Sequence, residues 1–354
     1  MNAVLIGLPQ SGKSTLFSAV TGILVDPFAV SDSHRAIVRV PDPRLEFLRK
    51  LHNPKKVIEA TVEIVDVPGC SLDDAHGRDA WRRLLPTLRQ ADLFMIVVRD
   101  FENDSVPPFR GRVDGKGDFA VVWEELIFAD LDTVTTRVER LEAALKKPTK
   151  THDAEKREFE VLLRCREALE AEQPLSSVVE TEDDRRQVSS FGFLTQKPLL
   201  GIRNVCDDRA SIDEVWEIQN VEEVITLSAS IEADIAALDE EDRPAFLSDL
   251  GLTVAARDRF IQACYRSLGL ISFLTMGPDE VRAWPITKGT TAEAAAGRIH
   301  SDLARGFIRA ETVAYDDLVA HEDMRGAKAA GKVRKEGKGY IVKDGDIMEI
   351  LANV

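Results

Sequence analysis

The stretch Val4-Leu5-Ile6-Gly7-Leu8-Pro9-Gln10-Ser11-Gly12-Lys13-Ser14-Thr15 decides the fold. A short apolar run, sized for one buried strand, ends in a Gly/Pro/Ser loop. Residues from Ser14 onward read as a helix closed by Gly22. Strand, glycine loop and helix in that order open a parallel α/β sheet. Positions 7–14 also match G-x-x-x-x-G-K-[ST]. Glycines let the main chain curl until successive N–H groups face phosphate oxygens. A lysine then bridges the β- and γ-phosphates, and the serine hydroxyl ligates Mg²⁺. The helix start points its positive end at the same oxygens. The expected phosphate set is Pro9, Gln10, Ser11, Gly12, Lys13, Ser14 and Thr15, with Lys13 as the catalytic cation and Ser14 as a metal ligand.

Working outward, three further strand ends carry polar signals. Asp66-Val67-Pro68-Gly69 follows the apolar run 62–65. An Asp at such a position holds Mg²⁺ through water, and the Gly a few residues later can offer an N–H to a γ-phosphate. Asn204-Val205-Cys206-Asp207 follows 199–202 and has the N-x-x-D form of a guanine-reading loop. A carboxylate there accepts from N1–H and the exocyclic amine of guanine, which adenine does not offer in that geometry. Val205 stands where a base-stacking lysine is usual. Ser228-Ala229-Ser230 follows 224–227 and resembles the last GTPase motif, where a main-chain N–H reaches the base oxygen. Each alone reads as a turn or helix cap. Their order and their shared position at strand ends argue for one nucleotide site, as expected at the C-terminal edge of a doubly wound sheet.

The 354 residues suffice for two or three domains. Further strands are expected at 36–40, 60–65, 93–98, 199–202 and 224–227. Between 123 and 173 the α/β pattern stops. Leu131, Val134, Val138, Leu141 and Leu145 recur at helical spacing. After a break at Pro148, Phe159, Leu162, Arg166 and Leu169 resume, with Arg166 as a polar fault. This reads as an antiparallel helical hairpin or as two ordinary core-facing helices. From about 240 the chain is helical, and after Thr275 short alternating stretches (281–286, 307–313, 339–342, 347–351) surround one helix at 291–303, a small α+β unit. The segment 326–339 reads as an exposed Gly/Lys loop.

Composition narrows the function. Lys+Arg 46 against Asp+Glu 61 gives a net charge of −15, unsuited to a protein devoted wholly to wrapping nucleic acid or coating an anionic membrane. Between Arg325 and Lys343 the balance reverses, with seven Lys or Arg against Glu336 alone. Cys70, Cys165, Cys206 and Cys264 form no CxxC pair and no Cys/His cluster. That excludes a disulfide scaffold or zinc knuckle and implies a reducing, cytoplasmic setting. No apolar stretch approaches the ~20 residues that span a bilayer, so no membrane partner is expected.

Across most of its length the sequence resembles the Obg-like ATPase family, the YchF subfamily of translation-factor-related P-loop GTPases. The matching stretches are GLPQSGKSTLF, VPDPRLEFL, NPKKVIEATVEIVDVPG, FEND, ELIFADLDT, RVERLEAALK, KPLL, IEADIAALDEEDRPAFLSDLG, the long run from LGLISFLTMGPDEVRAWPITKG to FIRAE, and GKGYIVKDGDIMEILANV. The resemblance implies an α/β fold: a P-loop GTPase-like doubly wound sheet at 1–122 and 176–274, an inserted antiparallel coiled coil at 123–175 and a C-terminal β-grasp (TGS) domain at 275–354. It implies Mg²⁺ with GTP or ATP, slow hydrolysis, and contact with ribosome or RNA, for which Lys328, Lys332, Arg334, Lys335 and Lys338 are the candidates.

Several positions depart from the family pattern. Its base motif usually ends in Glu, and Asp207 stands there, which favours guanine. Cys70 follows the D-x-x-G, where many GTPases carry a water-orienting Gln. Nothing basic adjoins it in sequence, so an inert thiol is expected. Asp73, Asp79 and Trp81 replace glycines in the second switch, which should stiffen it. Pro108 aligns with the family's candidate catalytic His; His76 could take that role, against its plain reading as a solvated histidine. Val30 aligns with the Mg²⁺-binding Thr of the first switch, leaving Ser31 (or Ser33) as a ligand only if the register shifts. Two functions follow: a weak Mg²⁺-dependent nucleoside triphosphatase, or a hydrolysis-deficient nucleotide-binding adaptor on ribosome or RNA.

Overall fold

The computed structural model describes residues 1–25, 33–146, 151–210, 216–221, 223–239, 241–252 and 254–353. These divide into two compact units, Met1–Ala36 with Glu63–Arg259, and Ile37–Val62 with Phe260–Val354. Strands in chain order are β1 (Asn2–Ile6), β2 (His34–Arg39), β3 (Lys56–Ile58), β4 (Thr61–Asp66), β5 (Leu93–Asp100), β6 (Leu199–Val205), β7 (Glu223–Leu227), β8 (Leu270–Met276), β9 (Glu280–Thr287), β10 (Phe307–Ala314), β11 (Arg334–Glu336) and β12 (Asp346–Ala352).

The first sheet has the order β2-β4-β1-β5-β6-β7. Pairing is parallel from β4 through β1, β5 and β6 to β7. Every residue of Leu93–Val98 is buried, the near-continuous apolar run that a central strand covered on both faces requires. The expected strands at 36–40, 60–65, 93–98, 199–202 and 224–227 all exist, within a few residues at their ends. The fold class is the expected α/β one, and the sheet places the C-terminal ends of β1, β4, β5, β6 and β7 along one edge.

The helical stretch is a hairpin of Gly115–Ala144 and His152–Glu170. Val134, Val138 and Leu141 face Val161, Leu162, Cys165 and Leu169 in one buried cluster, while Leu131 and Phe159 pack at its margin. Arg166 is not the polar fault expected. Cys165 occupies the interior, and Arg166 turns to the rim beside Glu170. Both residues satisfy a 3–4 spacing, and the desolvation cost of a guanidinium decides between them. A fork-to-carboxylate pair, Arg137 Nε and Nη2 to Glu158 at 2.7 and 2.8 Å, joins the two helices.

The hairpin is anchored through Asp130, which is fully buried. Its carboxylate accepts from Leu194 N (3.1 Å), Thr195 N (2.9 Å), Thr195 Oγ1 (3.0 Å) and Arg89 Nη1 (3.3 Å). Burial pushes its pKa up, and the donors from Thr195, Leu194 and Arg89 oppose that. Arg89 ends the helix Ala75–Arg89 that follows Asp66-Val67-Pro68-Gly69, and it also donates to Thr133 Oγ1 at 2.8 Å.

The second unit holds a sheet of order β11-β10-β12-β8-β9-β3. β8 and β9 form an antiparallel hairpin, β12 runs parallel to β8, and β10 lies antiparallel to β12. The helix Ala292–Ile299 presents Ala292, Ala295 and Ala296 to Phe273, Ile286 and Phe307. Small side chains let it lie close on the sheet, the β-grasp arrangement. Four expectations change here. β8 begins at Leu270, at the end of the stretch read as helical, because Leu270-Ile271-Ser272-Phe273-Leu274, four apolar residues around one serine, satisfies either period. The expected stretch 339–342 makes only an isolated bridge, Thr291 to Ile341. The expected helix 291–303 breaks at His300, whose extended backbone and Nδ1 cap the short helix Ser301–Arg305. The 326–339 segment is not all loop: it includes most of the helix Met324–Ala329 and all of β11.

Replacing Asp130 with Ala should cost about 3–5 kcal/mol, the range for breaking a buried ion pair from one side. The urea midpoint of the purified protein measures it, and a loss under about 1 kcal/mol would remove Asp130 as the anchor.

Candidate functional site

The loop after β1 turns tightly enough to need glycine twice. At Gly7 a Cβ would stand 2.3 Å from the carbonyl oxygen of Val97, and at Gly12, with φ +92°, it would stand 2.1 Å from Nδ2 of Asn204. Gln10 also takes a positive φ of 62°. Gly12 caps the helix Lys13–Thr21. Lys13 is almost wholly buried, and its Nζ donates to the carbonyls of Gly7 (3.0 Å) and Leu8 (3.1 Å). Burial lowers its pKa, while the charge of Asp66 and the thiol of Cys70 push the other way.

At the end of β4, Ser14 Oγ donates to Asp66 Oδ2 at 2.8 Å. Burial raises the Asp66 pKa, offset chiefly by Lys13 and Ser14. Asp66 Oδ1 and Ser11 Oγ are buried without hydrogen-bond partners. In a polar cradle an unpartnered carboxylate oxygen fits a cation, and an unpartnered hydroxyl, which can donate, fits a phosphate oxygen. A Cβ at Gly69 would fall 2.9 Å from Lys13 Nζ, so the D-x-x-G turn closes directly onto the loop. Cys70 is buried, its Sγ 3.7 Å from the Pro68 carbonyl, and burial raises its pKa, as an inert thiol requires.

The base-motif candidates are knitted to the same loop. Asn204 donates from Nδ2 to the Ser11 carbonyl (3.0 Å) and accepts from Ala229 N (2.9 Å) on Oδ1. Ser228 Oγ donates to Asp207 Oδ1 at 2.6 Å and accepts from Ile231 N. A single cavity of about 880 Å³ is lined by Pro9, Gln10, Ser11, Gly12, Lys13, Ser14, Thr15, Asp66, Gly69, Asn204, Val205, Asp207, Ser228, Ala229 and Ser230. All those sequence candidates therefore meet in one place. Its volume lies within the usual ligand-pocket range of roughly 300–1,000 Å³.

Some candidates stand elsewhere. His76 is exposed on the first turn of the helix Ala75–Arg89 and does not line the cavity. Ser31 and Val30 lie outside the described residues. In the second unit, the expected cationic contact set is largely matched by acids: Lys328 with Glu311 (3.2 Å), Lys332 with Asp317 (3.0 Å), Arg334 with Glu336 and Asp346, and Lys338 with Glu293 (2.7 Å). The charge of Lys335 acts on Glu311 as well. Sequence reasoning missed one wall of the cavity, formed by Phe101, Glu102, Asn103 and Val106. The exit of β5 carries no glycine motif; its FEND stretch matches the family, and its position beside β6 would have joined it to the cavity.

In the second switch, Trp81 is buried in an apolar cluster with Val67, Leu72 and Leu88, and Arg110 pairs with Asp73. Asp74 caps the helix through Gly77 N, and a Cβ at Gly77 would collide with the Ser71 carbonyl at 1.7 Å.

Two family models match this chain. One, described as "50S ribosome-binding GTPase", covers residues 2–110, and the other, YchF-GTPase_C, described as "Protein of unknown function (DUF933)", covers 270–353. The "Ribosome-binding ATPase YchF" of Bacillus subtilis (strain 168) is 42% identical over 368 residues, spanning 100% of both chains. The chain belongs to the YchF family. The protein of the same description from Escherichia coli O157:H7 is 39% identical, with 99% of this chain and 98% of that one covered. The solved structure of the Schizosaccharomyces pombe YchF GTPase superposes with a TM-score of 0.86 at 27% identity, covering 99% of this chain and 97% of that one.

Gly12→Ala should destabilise the protein by clearly more than Gly22→Ala. Both positions have positive φ, which costs a β-carbon about 1–2 kcal/mol, but a Cβ at Gly22 meets nothing within 4 Å. Thermal melts of the two variants measure the difference, and equal shifts would mean that the Asn204 contact does not constrain the loop.

Proposed function

We propose that the protein binds a purine nucleoside triphosphate with Mg²⁺ and hydrolyses it slowly. The observation that carries this is the convergence of the phosphate loop, the D-x-x-G turn and both base motifs on one cavity. In this reading Gly12, Lys13 and Ser14 offer main-chain N–H groups to the phosphates, and Lys13, already held by the Gly7 and Leu8 carbonyls, stabilises charge that develops between the β- and γ-positions. Ser14 and, through water, Asp66 would hold Mg²⁺, whose contribution when bound is neutralisation of phosphate charge. The fit rests on the unpartnered Asp66 Oδ1 and the Ser14–Asp66 contact. In the same reading Gly69 would bring an N–H toward the terminal phosphate.

Slowness follows from the proton-moving groups that the chain lacks where the family resemblance expects them. Cys70 is a buried thiol with a raised pKa, and Pro108 has no side-chain proton to move. His76, exposed away from the cavity, receives no catalytic role here. These same facts favour a second reading, in which the nucleotide is chiefly a regulatory ligand. The base is read by Asn204 and Asp207, with Asp207 oriented by Ser228. With an aspartate rather than a glutamate there, GTP should compete at least as well as ATP. Single-turnover phosphate release should exceed that of Lys13→Ala at least tenfold; equal rates sink the enzyme reading. In calorimetric titration, a tenfold preference for ATP, about 1.4 kcal/mol, would overturn the base assignment.

We further propose that the protein works in the cytoplasm on the ribosome, as the names of its relatives suggest for them. In keeping with this, the four cysteines are free. Among the described residues no helix is long and apolar enough to cross a membrane. The division of labour assigns nucleotide binding to 1–122 and 176–274, a projecting coiled coil to 123–175 and RNA contact to 275–354. The C-terminal cations are partnered, yet exposed ion pairs are worth only about 0.2–1 kcal/mol each, so a phosphate backbone can displace the acids. Replacing Lys332, Lys335 and Lys338 with Ala should flatten the salt dependence of ribosomal RNA binding by about 0.7–0.9 per lost phosphate contact. An unchanged slope removes this cluster from the interface.

A further inference from the structure

Arg99 stands at the C-terminal end of β5, across the ladder from Asn204, and is 3% exposed. Removing a guanidinium from water costs several kcal/mol unless hydrogen bonds and charge compensate it. Among the described residues no carboxylate forms a salt bridge with Arg99, although the charge of Glu102 acts on it. Two main-chain carbonyls compensate it instead: Nε donates to Phe101 O at 3.0 Å, and Nη2 donates to Val106 O at 2.6 Å. The guanidinium carbon lies 4.4 Å from the centre of the Phe101 ring, within cation–π range. The third nitrogen, Nη1, is buried with no hydrogen-bond partner.

The two carbonyls mark the two ends of one turn. Between them Asn103 closes the backbone on itself, its side chain accepting from Ser105 N and its carbonyl from Val106 N. Phe101, Glu102, Asn103 and Val106 of this turn line the cavity. The turn leaves the sheet beside the base motif, since Asp100 pairs in register with Val205. Asp100 is fixed in turn by Arg203 at 2.6 Å and Arg209 at 3.5 Å. A costly buried cation thus has its two hydrogen bonds in a segment whose other role is to wall the base end of the cavity.

We propose that Arg99 is a positioning residue that clamps the 101–106 turn into the shape that receives the nucleotide base. This rests on the nucleotide reading above. A rigid fork can hold two carbonyls five residues apart at once, whereas the single ammonium of lysine cannot reproduce that geometry. The effect should therefore fall on ligands that carry a base and spare those that are only phosphate.

The test is calorimetric titration of the full chain with Mg²⁺, using GTP, ATP and inorganic triphosphate on wild type, Arg99→Lys and Arg99→Met. The methionine variant removes the buried charge and both hydrogen bonds while keeping an unbranched side chain that can fill the space, so it decides the matter if the lysine variant does not fold. Nucleotide affinity should fall at least tenfold in both variants, with inorganic triphosphate affinity held within about twofold. Equal losses for all three ligands, or no loss for the nucleotides, would overturn the clamp. A wild type that binds inorganic triphosphate but no nucleotide would instead overturn the base reading on which it rests.

Discussion

The side chain of Asn204 is the constraint on which the site depends. Its amide donates to the Ser11 carbonyl, 193 positions earlier in the chain, and its carbonyl oxygen accepts from Ala229 N. Both ends of the amide are thus engaged at full burial, where an unmade bond costs about 1–3 kcal/mol. Gly12 must be glycine largely because this amide occupies the space of its Cβ. The glycine loop after β1, the end of β6 and the segment that follows β7 are therefore not independent. They are one hydrogen-bonded frame, whose spacing is set by the parallel order β1-β5-β6-β7.

Much of this frame could be read from the chain because its chemistry demands rare residue patterns. A glycine at a positive φ, a lysine that folds back on its own loop and a serine that opens a helix leave a fixed spacing in sequence. The turn 101–106 leaves no such trace. Its geometry comes from a buried arginine and two main-chain carbonyls, and carbonyls belong to every residue. A similar lack of signature hid β8, where four apolar residues around Ser272 suit either period, and moved the hairpin seam from Arg166 to Cys165. Sequence spacing allowed both residues, and desolvation chose.

The switch segment illustrates a trade between mobility and burial. Trp81 sits in a buried apolar cluster, and the helix Ala75–Arg89 ends on Arg89, whose guanidinium reaches Asp130 and Thr133 of the helical hairpin. One helix thus begins a few residues after the D-x-x-G turn and ends on the hairpin's anchor. A rigid-body shift of that helix would have to stretch bonds to a fully buried carboxylate. The burial of Trp81 and the Asp73–Arg110 pair hold this segment by packing and charge.

Charge behaves differently at the level of the chain and at the level of the surface. The seven cations between Arg325 and Lys343 suggest a basic lobe on a molecule of net charge −15. In the folded unit several of those cations sit against Glu293, Glu311, Asp317, Glu336 or Asp346, acids drawn mostly from other parts of the sequence. The local field is therefore weaker than the sequence count implies, and long-range steering of an anionic partner is correspondingly weak. Any polyanion that binds there must win by displacing carboxylates at contact. Recognition would then depend on matching the geometry of the β10–β11 edge and the helix Met324–Ala329 as well as on charge, because like charges already fill the positions that phosphates would take.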